Sequence, residues 1–330
     1  MAVAAALGHR GRARTWPNPN VGSVVVRDGI VVGRGWTQAG GRPHAEALAL
    51  AQAGEAARDA TLYTTLEPCA HASERGPTCS VLIAEAGVAR VVYGARDPDP
   101  RTDGRGVEAL GAAGIAVSAE TGAAAARSLE GYLTRHRHSR PHVTLKLAVS
   151  LDGCIARADG ESLWITGEAA RAHGHVERSR CGVIVVGRGT WEADTPRLDV
   201  RLAGLEGRSP AIAVLSGSHR GHREHREGAF NPSVSSVPSV STIDSPSAIA
   251  TLSTDHVLIE GGASAAAAFL EADLVDRLLL YTAPILIGSG KPALGDIGLA
   301  ALAAAHGRWT QTDSRSFGPD RLDIYDRVRD

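Results

Sequence analysis

The sequence predicts an α/β protein built from two domains. Strand-like apolar runs alternate with helix-like stretches in two successive blocks, and a basic, polar segment over residues 136–141 separates them. A chain of 330 residues also has room for two domains of ordinary size. The expected division is residues 1–140 and 141–330.

In the first block, residues 21–26 and 30–32 are apolar runs on either side of Arg27-Asp28-Gly29, the pattern of a β-hairpin with a tight Asp-Gly turn. A helix over 44–53 follows, with Ala45, Leu48 and Ala49 at helical spacing. A short strand over 61–65 delivers Glu67-Pro68-Cys69 to a loop, and a helix over 80–86 ends at Gly87. A strand over 88–93, a helix over 106–113 and a strand over 115–117 complete the alternation near residue 120. A further helix over about 123–135 leads into the segment 136–141, read as the linker.

In the second block, strands are expected over 143–149, 182–186, 210–215, 257–259 and 277–282, with helices over 168–178 and 264–271. That order implies a largely parallel sheet. Between 217 and 253 the pattern fails, because His, Arg, Ser and Pro dominate, and a long, mobile loop is expected there. No internal repeat is visible.

Composition narrows the function. The formal net charge is −1 and no basic patch stands out, which argues against a nucleic-acid partner. Apolar stretches are broken by Arg, Asp or Gly before the ~20 residues a membrane span needs. The start, Met1-Ala2-Val3-Ala4-Ala5-Ala6-Leu7, is too short for a signal peptide and lacks a leading basic region. Four cysteines do not read as a disulfide framework, and thiols of this kind fit a reducing cytosol. Lys146 and Lys291 are the only lysines, which marks each as a position where arginine does not substitute.

The chemistry is concentrated in His44-Ala45-Glu46, Glu67-Pro68-Cys69 and Cys79. Zinc takes nitrogen and sulfur ligands in a tetrahedron, and a catalytic site leaves the fourth position to water. His44, Cys69 and Cys79 supply three such ligands. Two helix N-termini would face the metal and favour thiolate over thiol. Zinc brings the pKa of bound water toward neutrality, and Glu46 is placed to take that proton and return it to a ring nitrogen and the departing amine. Alone, Glu46 would be an ordinary helix residue and each cysteine a small buried apolar group. A structural zinc is the intermediate reading, but three ligands plus a carboxylate fit an open site better. His71 is either a fourth ligand or a residue lining the pocket. The general zinc-deaminase signature is H-x-E then P-C-x-x-C. Here nine residues separate Cys69 from Cys79, so only the first half fits.

Pro17-Asn18-Pro19-Asn20-Val21-Gly22, His44-Ala45-Glu46 and Thr65-Leu66-Glu67-Pro68-Cys69-Ala70-His71 together resemble the bifunctional riboflavin-biosynthesis deaminase/reductase, the RibD family. The resemblance implies a cytidine-deaminase-like three-layer domain followed by a dihydrofolate-reductase-like domain. It also accounts for a long cysteine loop. The family pattern is Cys-x-His-x-Gly-Arg-Thr-x-Pro-Cys, and this chain carries one more residue between its cysteines. The N-terminal helix reads as shorter than the family's, so residues are expected to be missing ahead of Met1 or the start to be misassigned.

Lys146-Leu147-Ala148-Val149-Ser150-Leu151-Asp152-Gly153 and Gly160-Glu161-Ser162-Leu163-Trp164-Ile165-Thr166 are similar to the family's NADPH-dependent reductase domain. A strand ending in Ser-Leu-Asp-Gly puts polar groups at the carboxyl edge of a sheet, where open α/β sheets bind ligands. By resemblance, Val149, Trp164, Thr190 and Asp194 contact NADPH. The turn after Glu260, formed by Gly262, Ala263, Ser264, Ala265, Ala266, Ala267 and Ala268, is the implied NADPH-phosphate loop. Ser162, Arg178, Leu198, Arg201 and Glu260 match substrate positions, and the arginine fork suits a ribose phosphate. Lys146 is expected at the site edge and Lys291 in a surface turn. No residue is assigned between 217 and 253.

The resemblance implies deamination of 2,5-diamino-6-ribosylamino-4(3H)-pyrimidinone 5′-phosphate with zinc, then reduction of its ribosyl group to ribityl with NADPH. A cytoplasmic homo-oligomer acting on a small phosphorylated pyrimidine is expected, with no nucleic acid and no membrane. Two rivals stay open at this level. In one, the zinc-binding domain is inert and only the reductase works. In the other, the chain is a non-catalytic nucleotide-binding protein.

Overall fold

Residues 1–71, 75–217 and 240–329 are described by the structure, a computed structural model. Contacts divide the chain into two compact units, Met1–Arg140 and Pro141–Asp330.

The first unit is built on five strands. β1 (Gly22–Arg27) and β2 (Ile30–Trp36) form an antiparallel hairpin whose turn holds Asp28 at φ 49° and Gly29 at φ 76°. Two left-handed residues in succession match the twist of the flanking strands, which is why Asp-Gly closes it. β1 pairs antiparallel with β3 (Thr61–Thr64), and β4 (Arg90–Tyr93) and β5 (Ala116–Ala119) continue in parallel, giving the order β2-β1-β3-β4-β5.

Helices cover both faces. α1 is Ala2–Gly8, α2 Ala45–Ala53, α3 Cys79–Glu85, α4 Arg105–Ala112, α5 Ala123–Ser128 and α6 Glu130–His138. Ala49, Ile83 and Leu110 of α2, α3 and α4 bury against Val25, Leu62 and Val91 on one face. Ala4 and Leu7 of α1 meet Val24 on the other, beside Leu129, Tyr132 and Leu133 packed on Val21 and Leu66. Val24 and Val25 thus point to opposite layers, as alternation along a strand requires. Full burial of a side chain such as Leu62 or Ile83 is worth ~1.5–3 kcal/mol. Gly33 and Gly35 set the height of α2 above β2. A Cβ on them would lie 2.0 Å from the Ala49 carbonyl oxygen and 2.1 Å from that of Ala45.

One expectation changes here. The helix read over 123–135 is two helices, and α6 runs to His138, into the segment read as a linker. The basic run Arg135-His136-Arg137-His138 is the last turn of α6, where positive side chains complement the helix dipole. Ser139, at φ 55°, ends it.

In the second unit β6 (His142–Val149), β8 (Val183–Gly187), β9 (Ala211–Leu215), β11 (His256–Ile259) and β12 (Arg277–Thr282) are the parallel strands foreseen. β7 (Cys154–Ala156) and β13 (Lys291–Pro292) form a separate two-stranded ladder, so Lys291 lies on a short strand and not in a turn. β10 (Val240–Ile243) adds a parallel edge strand, and β14 (Trp309–Phe317) and β15 (Asp320–Arg327) an antiparallel hairpin, for the order β10-β9-β8-β11-β6-β12-β15-β14. The helices are α7 (Glu168–Arg178), α8 (Arg188–Asp194) and α9 (Ala263–Glu271). Val143, Leu145, Val185 and Ile259 bury against Ala266 and Phe269 of α9, and Ile184, Val186, Ile212 and Leu258 form the core of the opposite face.

β10 and the 3₁₀ turn Pro246–Thr251 correct the expectation of a loop through 253, while the stretch 218–239 lies outside the described residues. The hairpin β14–β15 went unread because its exposed positions are Thr, Gln, Ser and Arg, which leaves no apolar run. Among the described residues, no helix is long and apolar enough to cross a membrane.

Candidate active sites

In the first unit two helix starts converge. His44 is the N-cap of α2, Cys79 the first residue of α3, and Cys69 lies on the loop after β3. His44 Nδ1 is 3.2 Å from Cys79 Sγ and 3.6 Å from Cys69 Sγ. One ligand atom from each of the three residues lies within 4.8 Å of the others. A nitrogen and two sulfurs this close fit a zinc ion, which takes both sulfurs as thiolates. The longer cysteine segment does not hold the sulfurs apart. The Cys79 N–H donates to Cys69 Sγ at 3.3 Å and the Ser80 N–H to the Cys69 carbonyl at 3.2 Å. Of that segment, 72–74 fall outside the described residues.

The two thiols share their protons unequally. The Cys79 S–H donated to Cys69 is the main cause that brings Cys69 down to about 4, against the cost of burial and with help from His44. The same bond, with burial, pushes Cys79 well up. His44 is raised, chiefly by its bond to Cys69. Glu46 is buried two residues from His44, and burial raises its carboxyl despite the opposing charge of His44. Thr64 Oγ1 donates to Glu46 Oε1 at 3.5 Å, and Ser23 Oγ donates to Thr64 Oγ1 at 3.0 Å. A buried carboxyl held toward its protonated form beside a metal-ligand set can carry a proton between water and a leaving group.

His71 is not among the converging ligands. Its Nδ1 bonds Thr102 Oγ1 at 3.2 Å. Glu67, quoted in the motif but given no role by the sequence, has a structural one. Its buried carboxylate accepts N–H groups of Asp97, Gly104, Gly106 and Val107 at 3.1–3.4 Å. That ties the cysteine loop to the start of α4.

In the second unit the parallel strands β8, β11, β6 and β12 all end on one edge, and the expected residues divide along it. Arg178 grips Glu260 with two bonds, Nε to Oε2 at 2.8 Å and Nη2 to Oε1 at 2.7 Å, while Lys146 Nζ lies 3.4 Å from Oε1. Burial pushes Glu260 up, but Lys146 and Arg178 outweigh it and hold the carboxyl at about 2. Arg178 Nη1 also donates to the Asp199 carbonyl at 3.1 Å, and Asp199 Oδ1 lies 3.5 Å from Arg201 Nε. Lys146, Arg178, Arg201 and Glu260 are therefore brought together. Leu198 is buried in the apolar cluster with Ile184 and Ile212, so its side chain faces the core.

Farther along the edge, Thr190 Oγ1 accepts the Gly262 N–H at 3.1 Å and fixes the turn into α9. A Cβ on Gly262 would meet that same oxygen at 3.1 Å, and one on Gly261 the Gly187 nitrogen at 3.2 Å. Ala265, Ala266, Ala267 and Ala268 are buried within the packing of α9. The stretch thus offers a ligand the backbone of Gly262, Ala263 and Ser264; the Gly262 N–H is taken by Thr190, so the N–H groups a helix start presents to a phosphate are those of Ala263 and Ser264. Val149 is buried at the end of β6. Trp164 is exposed, with the Arg171 guanidinium 4.6 Å from its ring centroid, and Ser162 and Asp194 are exposed as well.

Comparison with known proteins finds a family match in each unit. Residues 1–95 match the model for the cytidine and deoxycytidylate deaminase zinc-binding region, and residues 141–322 match that for the RibD C-terminal domain. The riboflavin biosynthesis protein RibD of Escherichia coli is 39% identical over 97% of this chain and 96% of its own length. That of Mycobacterium tuberculosis is 38% identical over 98% and 95%. Among solved structures, a Thermotoga maritima diaminohydroxyphosphoribosylaminopyrimidine deaminase/5-amino-6-(5-phosphoribosylamino)uracil reductase is 31% identical, with a TM-score of 0.86 over 99% of this chain and 97% of that one. Acinetobacter baumannii RibD is 33% identical, with a TM-score of 0.84 at the same coverage. Identity above 30% across nearly the whole of both chains places this chain in the RibD family of riboflavin biosynthesis proteins.

Proposed function

We infer that the chain catalyses two successive steps on one phosphorylated aminopyrimidine, hydrolytic deamination in residues 1–140 and NADPH-dependent reduction of the ribosyl group in residues 141–330. The observation that carries this reading is the His44, Cys69 and Cys79 set beside the buried Glu46, in a chain whose other unit matches the RibD C-terminal domain. The full-length likeness to RibD proteins favours two working activities over a reductase with an inert zinc domain.

In the first unit His44, Cys69 and Cys79 would hold zinc, which when bound supplies a water of near-neutral pKa. Glu46 would move two protons in turn, both from the attacking water, the first to the ring nitrogen and the second to the departing amine. Thr64 orients its carboxylate.

In the second unit Val149, Trp164, Thr190, Asp194 and the turn from Gly262 through Ala263 and Ser264 would hold NADPH, which supplies hydride to the ribosyl carbon. Arg178, Arg201 and Glu260, with Ser162 and Leu198, bind the substrate. The arginines suit its phosphate, and Glu260, fixed as an anion, suits a hydroxyl donor. Reduction needs these groups mainly to hold hydride donor and acceptor in register. The reading includes a cytoplasmic home, supported by four free cysteines, and a homo-oligomer, which sedimentation tests directly.

Metal analysis joined to separate assays of the two steps, on wild type and Glu46→Gln, tests the assignment. Glu46→Gln should retain its metal, lose deamination by about a thousandfold and keep reduction. Loss of reduction in the same variant would count against two independent sites.

A further inference from the structure

Asp152 is an exposed carboxylate whose bonding capacity is spent within the protein. Its Oδ1 accepts the Ser150 hydroxyl at 2.5 Å, and its two oxygens accept the Ile287 N–H at 3.2 Å and the Gly288 N–H at 2.7 Å. The Ser150 hydroxyl and the Gly288 N–H are the leading causes that hold its carboxyl at about 2, so it stays an anion and an acceptor across the physiological range.

These bonds join two turns at the ligand edge of the sheet. One follows β6 and the other follows β12, and the paired strands end together at Val149 and Thr282. Backbone bonds stitch the first part of the junction, from the Ala283 N–H to the Val149 carbonyl at 2.8 Å and from the Leu151 N–H to the Ile285 carbonyl at 2.8 Å. Beyond Ile285, the Asp152 carboxylate takes over at residues 287 and 288. The turns so joined carry large apolar side chains outward: Leu151 is 62% exposed and Leu286 74%. Two exposed leucines at a ligand edge, near the proposed cofactor contact Val149, offer apolar surface of the kind that lines small-molecule sites.

We propose that Asp152 is a positioning residue of the reductase, latching the 285–288 turn so that Leu151 and Leu286 form a fixed apolar lip that seats the nicotinamide ring of NADPH. The inference rests on the reading that the second unit binds NADPH. The phosphates and adenosine lie with Thr190 and the turn into α9, at the ends of β8 and β11. The uncharged ring that reacts would lie with the ends of β6 and β12. An apolar wall suits it, because hydride transfer demands orientation more than charge.

Calorimetric titration with two probes separates these parts: NADPH, and adenosine 2′,5′-bisphosphate, which lacks nicotinamide. Asp152→Ala should lose about tenfold in NADPH affinity, the scale of one large apolar contact, with bisphosphate affinity unchanged. Leu286→Ser should show the same pattern, and its exposure makes it tolerable to the fold should Asp152→Ala fail to fold. Equal losses for both probes would make the latch general scaffolding and overturn the proposal, as would unaltered NADPH affinity in Leu286→Ser. Wild-type protein that binds neither probe would overturn the cofactor reading itself, and this proposal with it.

Discussion

Glu46 is a buried carboxylate and Glu260 a partly buried one, each in a candidate site, and their surroundings drive them in opposite directions. Burial raises Glu46, with His44 as the main opposing charge. Burial acts on Glu260 in the same sense, yet Lys146 and a bidentate Arg178 bring it down to about 2. One environment keeps a carboxyl able to hold and release a proton, and the other makes it a permanent anion. Residue type alone assigns neither job. The neighbours within about 3–4 Å do, because desolvation and paired charge are of similar size and opposite sign.

The largest effect that would sharpen this contrast comes from the metal set. Cys69→Ser should reduce bound metal to near background and deamination by a thousandfold or about that, while reduction stays at the wild-type level. Metal per chain and the two assays read it together. Deamination that survives metal loss would break the comparison, since Glu46 would then be working without the ligand set.

Next in size is Glu260→Gln, which leaves the Lys146 and Arg178 cations without their anion. A cost of about 3 kcal/mol to the second unit is expected from breaking such a pair. The pH dependence follows in sign. The folded carboxyl lies at about 2 against an ordinary value of 4.5, so its stabilisation is complete above pH 4.5 and is lost as pH falls toward 2. Chemical denaturation across that range should show an acid-labile contribution in wild type that is missing in Glu260→Gln. Glu46, being raised, has the opposite sign and cannot supply that limb. The smallest effect concerns the helix that carries Cys79. The Thr78 hydroxyl accepts the Val81 N–H at 3.3 Å as the cap of α3, and Thr78→Ala should cost about 1 kcal/mol in the melting of the first unit. A negligible change would show that the cysteine loop, not the cap, sets the helix start.

The first site was legible because its chemistry depends on residue types. Imidazole, thiols and a carboxylate at short spacing carry their meaning in the sequence, and His44, Cys69 and Cys79 do converge. The second was legible mainly through family likeness, because strand ends are what assemble it. Glu260 and Arg178 are 82 residues apart in sequence, and nothing in their local spacing announces the bidentate pair. Leu198 and Ala265 to Ala268 show the limit of such likeness: their side chains face the core, so only the backbone is left to meet a ligand. The tethers were hidden as well. Glu67 and Asp152 stand in quotable motifs, but each acts on backbone N–H groups 30 to 136 residues away, and a linear pattern does not encode the acceptor's partners. The hairpin β14–β15 was invisible for a simpler reason, since a solvent-facing strand needs no apolar run.

Gly35 carries no functional group, yet its missing side chain is a tolerance on the position of the metal site. A single methyl there would sit 2.1 Å from the carbonyl oxygen of Ala45, one residue beyond His44. The strand cannot yield, being paired on β1, so the displaced part would be the front of α2 and the imidazole at its tip. In a screen for lost deaminase, changes at Gly35 would therefore sort with changes at His44, and the defect would be one of placement with every ligand still present. The chain thus holds part of the placement of His44 in an empty volume between a strand and a helix.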